Sequence, residues 1–282
     1  MTAKEIASKA ANLAAGSPSV LKLIGLLKQS GLANEDVVEV LKHETVLTAK
    51  LLRACNSPSL GFAEPISSVN QAVLLLGYQQ ILQMVFALTF RETLIAPLSG
   101  YAVEANELWR HSLIVAVASE LVSHSRPGLN AEPAMAFTAG LLHDIGKLAI
   151  NQALTPESQA AIRCWNAEHG ASRLEAERGV LGTDHAEVGG YLLNLWRLPE
   201  EIVEAVANHH DPVLEPRCRL SCVVYLANCL AHLAGSAPGC EAYALKMQSR
   251  VTTAFELTPE TLEGLVIQVR KSCERAESLM VK

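Results

Sequence analysis

Helical periodicity is the feature that most limits what this chain can fold into. Apolar residues recur every three or four positions in one segment after another, whereas the alternating pattern of strands is nearly absent. Residues that favour helix starts punctuate these segments, as Thr258 and Pro259 do for the last one. The pattern predicts an all-α protein. The predicted helical segments cover residues 17–31, 35–43, 45–57, 67–77, 79–90, 107–124, 131–150, 185–196, 199–210, 219–235 and 258–281.

Composition and charge exclude several classes of function. Half of the 282 residues are hydrophobic, 18% are charged, and the net charge is −6. Because Lys and Arg are scattered through this mildly acidic chain, we expect neither nucleic acid nor an anionic membrane as a partner. The N-terminus lacks an apolar signal segment, glutamines interrupt the most apolar region (residues 72–90), and the seven cysteines are an odd number. These features favour a reduced, cytoplasmic protein.

A polar pair lies inside the apolar stretch GLLHDIGKLAI, residues 140–150. His143 and Asp144 are surrounded by leucine and isoleucine, and Lys147 follows one helical turn later. Burying an imidazole and a carboxylate is costly unless polar partners or a metal compensate. Lys147 is placed to meet a phosphate, and the alternative of a solvated lysine past a helix end is equally open. The pair therefore marks a candidate polar site inside the core.

Other side chains of metal-binding type could complete such a site. Glu107 and His111 are four residues apart and share one helix face. His185 begins a helix, and His209 and His210 end another. Mixed imidazole and carboxylate ligands suit zinc, manganese, iron or nickel, and two ions roughly 3.5–4 Å apart could activate a water against a phosphoester. Taken singly, each histidine is more often a core or surface residue than a ligand.

The motifs HSLIVA, GLLHDIGK, DHAEVGG and HH, in this order, resemble the HD superfamily of metal-dependent phosphohydrolases. Residues 43–77, HETVLTAKLLRACNSPSLGFAEPISSVNQAVLLLG, are similar to the first half of an HDOD domain, with Glu44 and Thr45 in place of the usual Asp-Pro. The residues that match are Leu47, Thr48, Leu51, Leu52, Asn56, Ser57 and Gly61. The resemblance runs from about residue 15 to about residue 235 and implies a helical HDOD fold.

The resemblance also implies how the chain is divided. We expect an N-terminal helical subdomain over residues 1–100, packed on an HD-like helical subdomain over residues 101–235 that carries the metal site. A C-terminal helical extension would follow over residues 236–282. Turn-forming residues in segment 95–106 mark the first boundary.

The implied metal ligands are assigned by position in the family pattern. The superfamily set corresponds to His111, His143 and Asp144. The related cyclic-dinucleotide phosphodiesterases have a fuller set, whose additional members match Glu107 (weakly), His185, His209 and His210. The last aspartate of the superfamily is replaced by Asn228, and the GYP signature after the paired histidine is absent. Because an amide oxygen binds hard cations less well than a carboxylate, this exchange weakens ion binding. The ion would be iron, manganese, magnesium, zinc or nickel, or the site would be empty.

Two functions are open on this evidence. Asn228 and the missing GYP signature favour a signal-transduction or regulatory HDOD protein, which acts through a signalling protein partner or a small nucleotide ligand. The alternative is a metal-dependent phosphohydrolase that acts on a nucleotide or a cyclic dinucleotide. In that enzyme Asp144 would serve catalysis with the bound ions, and Lys147 would steady the phosphate. Either protein could be a homodimer.

A second cluster, on segment 219–235 and just before it, has a structural interpretation. Cys218, Cys222, Cys229 and His232 share one side of a helix, but Cys222 and Cys229 would lie about 10 Å apart along its axis, too far to share one ion. We interpret this side as the core face of the helix. His43, His124 and His169 are interpreted as core or surface residues, and Cys55, Cys164 and Cys273 have no activating neighbourhood.

Overall fold

The structure is a computed structural model, and it describes residues 1–11, 23, 34–42, 44–125, 129–169, 172–212, 214, 219–236 and 247–280. Over these residues the chain forms α-helices and two short 3-10 turns, with one isolated β-bridge between Leu98 and Val103. The prediction of an all-α fold is confirmed. The helix predicted over residues 17–31 lies outside the described residues apart from Leu23.

The described helices of the first hundred residues agree with the predicted segments. They are α1 (Ala3–Lys9), α2 (Asn34–Lys42), α3 (Thr45–Cys55), α4 (Val69–Leu76) and α5 (Tyr78–Leu94). Ser68 caps α4 by accepting the N–H of Gln71, and Gly77 joins α4 to α5 at a φ of 81°, a conformation that favours glycine. No single described helix is long and apolar enough to cross a bilayer; α4 and α5 pass that test only together, as a pair bent by 119°.

The following helices begin after the turn-forming segment 95–106. They are α6 (Glu107–Ser125), α7 (Pro133–Leu142), α8 (Ile145–Ala153), α9 (Pro156–His169), α10 (Arg173–Leu181), α11 (His185–Leu195), α12 (Glu200–Ala207) and α13 (Arg219–Leu233). The segment predicted over residues 131–150 is thus two helices, because the chain turns at His143 and Asp144. The polar stretch before residue 181, which the sequence left unassigned, forms α9 and α10, and a capping box of Ser172 and Glu175 begins α10.

Two glycines allow the close helix contacts that shape the centre of the molecule. A Cβ atom on Gly140 of α7 would lie 2.5 Å from Ser119 Oγ of α6. A Cβ atom on Gly146 of α8 would lie 1.9 Å from the carbonyl oxygen of His185. Only glycine fits at these two points. The close contacts bring the start of α8 against the start of α11 and pack α7 on α6.

The last two described helices connect the parts of the fold. They are α14 (Ser249–Ala254) and α15 (Pro259–Met280), and Thr258 caps α15 as predicted, by accepting the N–H of Thr261. α15 packs on α6 and α13, and also on α3 and α5. α1 packs on α8 and α11, and one continuous apolar core runs through all these contacts. The subdomain boundaries at residues 100 and 235 stay a prediction.

Candidate metal centre

Four imidazoles converge on the carboxylate of Asp144, which lies at the turn between α7 and α8. His143 Nε2 and His111 Nε2 lie 3.4 and 3.9 Å from Asp144 Oδ2. His185 Nε2 and His209 Nε2 lie 3.3 and 3.8 Å from Asp144 Oδ1. The four rings come from α6, the end of α7, the start of α11 and the turn after α12, and all five side chains are at most 2% exposed. The structure therefore brings together the distant residues that the sequence singled out.

Lys147 is part of this cluster. Its Nζ donates a hydrogen bond of 2.9 Å to Asp144 Oδ2, and the side chain is 2% exposed, which excludes the solvated alternative. Burial alone would raise the pKa of Asp144, but the positive charges of Lys147 and His185 outweigh it and hold that pKa well below its usual range. Asp144 is therefore an anion at neutral pH, and its charge is balanced by Lys147.

The outer nitrogen of each imidazole is fixed by an acceptor. The Nδ1–H of His143 donates to the Gly140 carbonyl oxygen (2.8 Å), that of His209 to the Val206 carbonyl oxygen (2.7 Å), and that of His111 to the carbonyl oxygen of Ser236 (3.0 Å). A ring whose Nδ1 carries the proton presents the lone pair of Nε2 on its other side. These contacts orient the Nε2 atoms inward, as metal-ligating histidines require.

His185 is held by a buried carboxylate that the sequence analysis missed. Glu177 Oε2 accepts both the backbone N–H and the ring Nδ1–H of His185, each at 2.7 Å. Burial would lower the pKa of His185, but the Glu177 carboxylate outweighs it and raises the pKa to about 10. The Ser-x-x-Glu capping box could have located α10, but nothing in that polar stretch showed that Glu177 faces inward.

His210 joins the cluster from its more exposed edge. Its Nε2 lies 2.8 Å from His185 Nε2, so the two nitrogens share either a proton or a cation. Two groups of side chains have ligand atoms within 4.8 Å of one another: His111 with His143 and Asp144, and His185 with His209 and His210. Each group offers three ligands to one ion.

Buried polar atoms without a hydrogen-bond partner mark where the pocket could hold a cation. His143 Nε2, Asp144 Oδ1 and His209 Nε2 are buried and have no hydrogen-bond partner. Burial lowers the pKa of His143 well below its usual range, and it lowers the pKa of His209 to about 4. Both rings are therefore neutral at pH 7, which is the form that binds a metal. The residues present fit a divalent ion.

Glu107 and Asn228, two further predicted ligand positions, differ in where they lie relative to the histidine cluster. The Glu107 carboxylate accepts the N–H of Glu104 (2.7 Å) at the start of α6 and belongs to neither group, so the structure does not bring it to the ligands. Asn228 is buried on α13, which packs on α6 and α7, and its Oδ1 has no hydrogen-bond partner. An amide thus occupies a buried position beside the cluster helices.

The cysteine face of α13 is largely as predicted, with one exception. Cys222 and Cys229 are buried as the core interpretation requires, and Cys218 lies outside the described residues. His232, however, is not an ordinary core residue: its ring centroid lies 5.2 Å from that of His111, edge to face. The signal for this contact was its position one helical turn after Asn228, on the same side of α13.

Comparison with known proteins identifies the family. The family model of the HDOD domain matches residues 13–212, which is more than half of the chain. The chain belongs to the HDOD family. The resemblance noted in the sequence, and the helical HDOD fold that it implied, are confirmed.

Solved structures share this fold over most of the chain. An HDOD domain protein of unknown function from Geobacter sulfurreducens is 27% identical, with a TM-score of 0.72 over 92% of this chain and 90% of that one. A candidate phosphohydrolase from Shewanella amazonensis SB2B is 23% identical, with a TM-score of 0.72 over 98% and 97%. A candidate signal transduction protein from Marinobacter aquaeolei VT8 is 19% identical, with a TM-score of 0.77 over 94% and 59%. The likeness to the latter two concerns the fold alone.

A curated relative is also detected by sequence. An uncharacterized protein from Treponema pallidum (strain Nichols) is 23% identical over 176 residues. The aligned region is 62% of this chain and 33% of that protein, so the chain spans about a third of the relative's length.

Proposed function

We propose that this HDOD protein is a cytoplasmic regulator that acts by binding a signalling protein or a small nucleotide, and that its histidine cluster holds one divalent ion without hydrolysing phosphoesters. The observation that carries the proposal is the charge balance of the cluster. Asp144 is the carboxylate that contacts the four inward Nε2 atoms, and Lys147 already balances its charge.

This charge balance limits how many ions the site can hold. Each divalent ion would add two positive charges to a buried region, where uncompensated charge is expensive. A first ion could replace the Lys147 ammonium as the partner of Asp144. A second ion would need a further anionic ligand, and the family's last aspartate is the neutral Asn228. One ion on His111, His143 and Asp144 is the arrangement that this ligand set supports. Such an imidazole-rich site favours zinc, iron or nickel over magnesium.

Access to the site also favours regulation over turnover. Asp144, His111 and His143 are at most 1% exposed, which disfavours the approach of a bulky phosphoester to an ion held between them. An ion held in this way links α6, α7 and α8, and it would stabilise their arrangement in the form that a partner recognises.

A metal-dependent phosphohydrolase is the second candidate, and one observation favours it. The second group, His185, His209 and His210, lies beside the first, and His210 at its edge is partly exposed. Ions in both groups could activate a water, and Lys147 would be released from Asp144 to steady a phosphate of a nucleotide or cyclic dinucleotide.

Metal analysis combined with a turnover assay separates the two candidates. The tag-free full chain is analysed for metals and assayed with bis(p-nitrophenyl) phosphate and with a cyclic dinucleotide, with added Mn²⁺ or Fe²⁺. His111→Ala is compared with His124→Ala, because both lie on α6 but His124 is mostly exposed. We expect about one ion per chain, lost in His111→Ala and kept in His124→Ala, with no turnover. Turnover that disappears in Asp144→Ala would overturn the regulatory proposal.

The role of position 228 has its own test. If the Asn228 oxygen faces the ion site, Asn228→Asp supplies the missing charge and should tighten metal binding by about tenfold or more. Cys222→Ser is the matched control, since it is a buried polar exchange on the same helix. Unchanged affinity in Asn228→Asp would show that this residue does not correspond to the family's last ligand.

A further inference from the structure

A cleft on the other side of α6 is distinct from the histidine cluster. Successive residues of a helix are 100° apart, so Leu113, Val117 and Glu120 project from the side of α6 opposite His111. These residues line a cleft of about 270 Å³, together with Phe137 of α7. Among the described residues, Gln80, Gln83, His124 and Ser272 also line it.

The cleft has an apolar floor and a polar rim. Leu113 and Phe137 at its base are buried. On the rim, Gln83 donates from Nε2 to Glu120 Oε1 at 2.6 Å, and His124 Nε2 lies 3.8 Å from the same oxygen. Gln83 is 5% exposed, so its amide is fixed in place rather than free in solvent. One oxygen of Glu120 is thus engaged by its neighbours, and the carboxylate, which is 29% exposed, faces the cleft.

The charge of the lining residues selects the class of ligand. Among the described lining residues the ionisable side chains are Glu120, which is an acid, and His124 beside it. An apolar cleft with one carboxylate at its rim is complementary to a small organic cation, with its ammonium on Glu120 and its apolar body against Leu113, Val117 and Phe137. We propose that this cleft is an effector site for a small organic ammonium ligand.

A ligand in this cleft would contact four helices, because the lining residues come from different parts of the fold. Gln80 and Gln83 belong to α5, Glu120 to α6, Phe137 to α7 and Ser272 to α15. The ligand would therefore contact the N-terminal half, the helix pair that carries His111 and His143, and the C-terminal helix at once. It would lie behind that helix pair, away from Asp144, so it is an effector rather than a substrate. The proposal does not depend on whether the histidine cluster holds an ion.

Three ligands of similar size and different charge test the proposal on the tag-free full chain. These probes are 2-phenylethylammonium, its neutral isostere 2-phenylethanol and the anion 3-phenylpropionate, titrated by calorimetry and by NMR. We expect the ammonium to bind one site with a Kd on the order of 1 mM or tighter, and the other two to bind about tenfold more weakly or less. Equal binding of the three probes, or no saturable binding of the ammonium, would overturn the proposal.

Matched variants locate the binding. Glu120→Gln keeps the shape of the side chain and should abolish the preference for the ammonium, whereas Glu104→Gln removes an exposed carboxylate just before α6 and should leave it unchanged. Val117→Phe should fill the cleft and weaken binding of the ammonium by about tenfold or more. Circular dichroism checks that the variant folds, and its metal content should be unchanged. The assignment would be contradicted if Glu104→Gln lost the preference for the ammonium as fully as Glu120→Gln. It would also be contradicted if both cleft variants kept that preference.

Discussion

The two halves of this molecule bury different kinds of side chain. In the described part of the first hundred residues the buried side chains are apolar with the single exception of Gln83. Between residues 101 and 235 the core also contains four histidines, Asp144, Lys147 and Glu177. The first half is therefore held together by apolar packing, whereas the second carries ionisable groups that apolar packing alone would exclude.

The difference places the buried ionisable groups, and with them the candidate metal site, between residues 101 and 235. Buried charges destabilise a fold unless each has a partner, and such groups are often retained for specificity or ligand binding. Here the partners are nearly complete: Lys147 balances Asp144, and Glu177 holds His185. The atoms left over, His143 Nε2, Asp144 Oδ1 and His209 Nε2, face the space an ion would fill. Under the proposed function, the first half would serve as a scaffold for the second.

The largest expected effect comes from breaking the buried ion pair. Asp144→Ala leaves the Lys147 ammonium buried without its partner, and we expect a loss of about 3–5 kcal/mol in the free energy of unfolding. The control in the first half is Glu92→Ala, which breaks the exposed pair with Lys50 and should cost at most about 1 kcal/mol. Urea unfolding followed by circular dichroism measures both. Equal losses in the two variants would show that the halves do not differ in this way.

A core variant in the first half should separate stability from metal binding. Leu51 is fully buried on α3, and Leu51→Ala should lower the free energy of unfolding by about 2–5 kcal/mol. Because Leu51 lies outside the histidine cluster, the metal Kd of the folded protein should stay the same. Calorimetric metal titration below the unfolding temperature checks this. A tenfold weaker Kd in Leu51→Ala would mean that the scaffold and the site are one cooperative unit.

Metal addition should stabilise the chain through the second half. An ion that binds only the folded state adds about 2.7 kcal/mol at a free concentration one hundred times its Kd. The shift in Tm with Zn²⁺ should be much smaller in His143→Ala and unchanged in His124→Ala, whose ring is exposed on the same helix as His111. Equal Tm shifts in all three proteins would place the ion elsewhere.

The pH dependence of the metal-free protein gives the most specific effect. The pKa of His185 is raised from its usual 6.5 to about 10, so its protonated form stabilises the fold below pH 6.5 and that contribution is lost as the pH rises towards 10. The pKa of His209 is lowered to about 4, so its contribution is lost as the pH falls from 6.5 to 4.

Glu177→Gln tests the alkaline part of this dependence. The variant removes the charge that raises the pKa of His185, so the decline in stability between pH 6.5 and 10 should largely disappear. Glu187→Gln on α11, which contacts Thr183, should keep the decline. Both are measured by urea unfolding in the presence of a chelator. A decline that persists in Glu177→Gln would show that another group causes it.

The sequence predicted most of the fold and most of the cluster, for identifiable reasons. Helix starts were readable where capping residues and apolar periodicity agreed, as at Thr258. The break between α7 and α8 was not readable from the sequence, because apolar residues continue on both sides of it. At this break the Asp144 backbone leaves the helix, with a ψ of 9°. His143 and Asp144 were detectable because they are polar groups in an apolar stretch. Glu177 was not detectable, since its environment depends on which way α10 faces. The signal for His232 was its spacing of one helical turn from Asn228.

Anomalous diffraction from crystals grown with Zn²⁺ tests the central claim most directly, because it counts and places the ions among the histidines. The account predicts one peak, within about 2.0–2.2 Å of His111 Nε2, His143 Nε2 and an Asp144 oxygen. Two peaks roughly 3.5–4 Å apart, bridging both groups of ligands, would contradict it and favour the hydrolase.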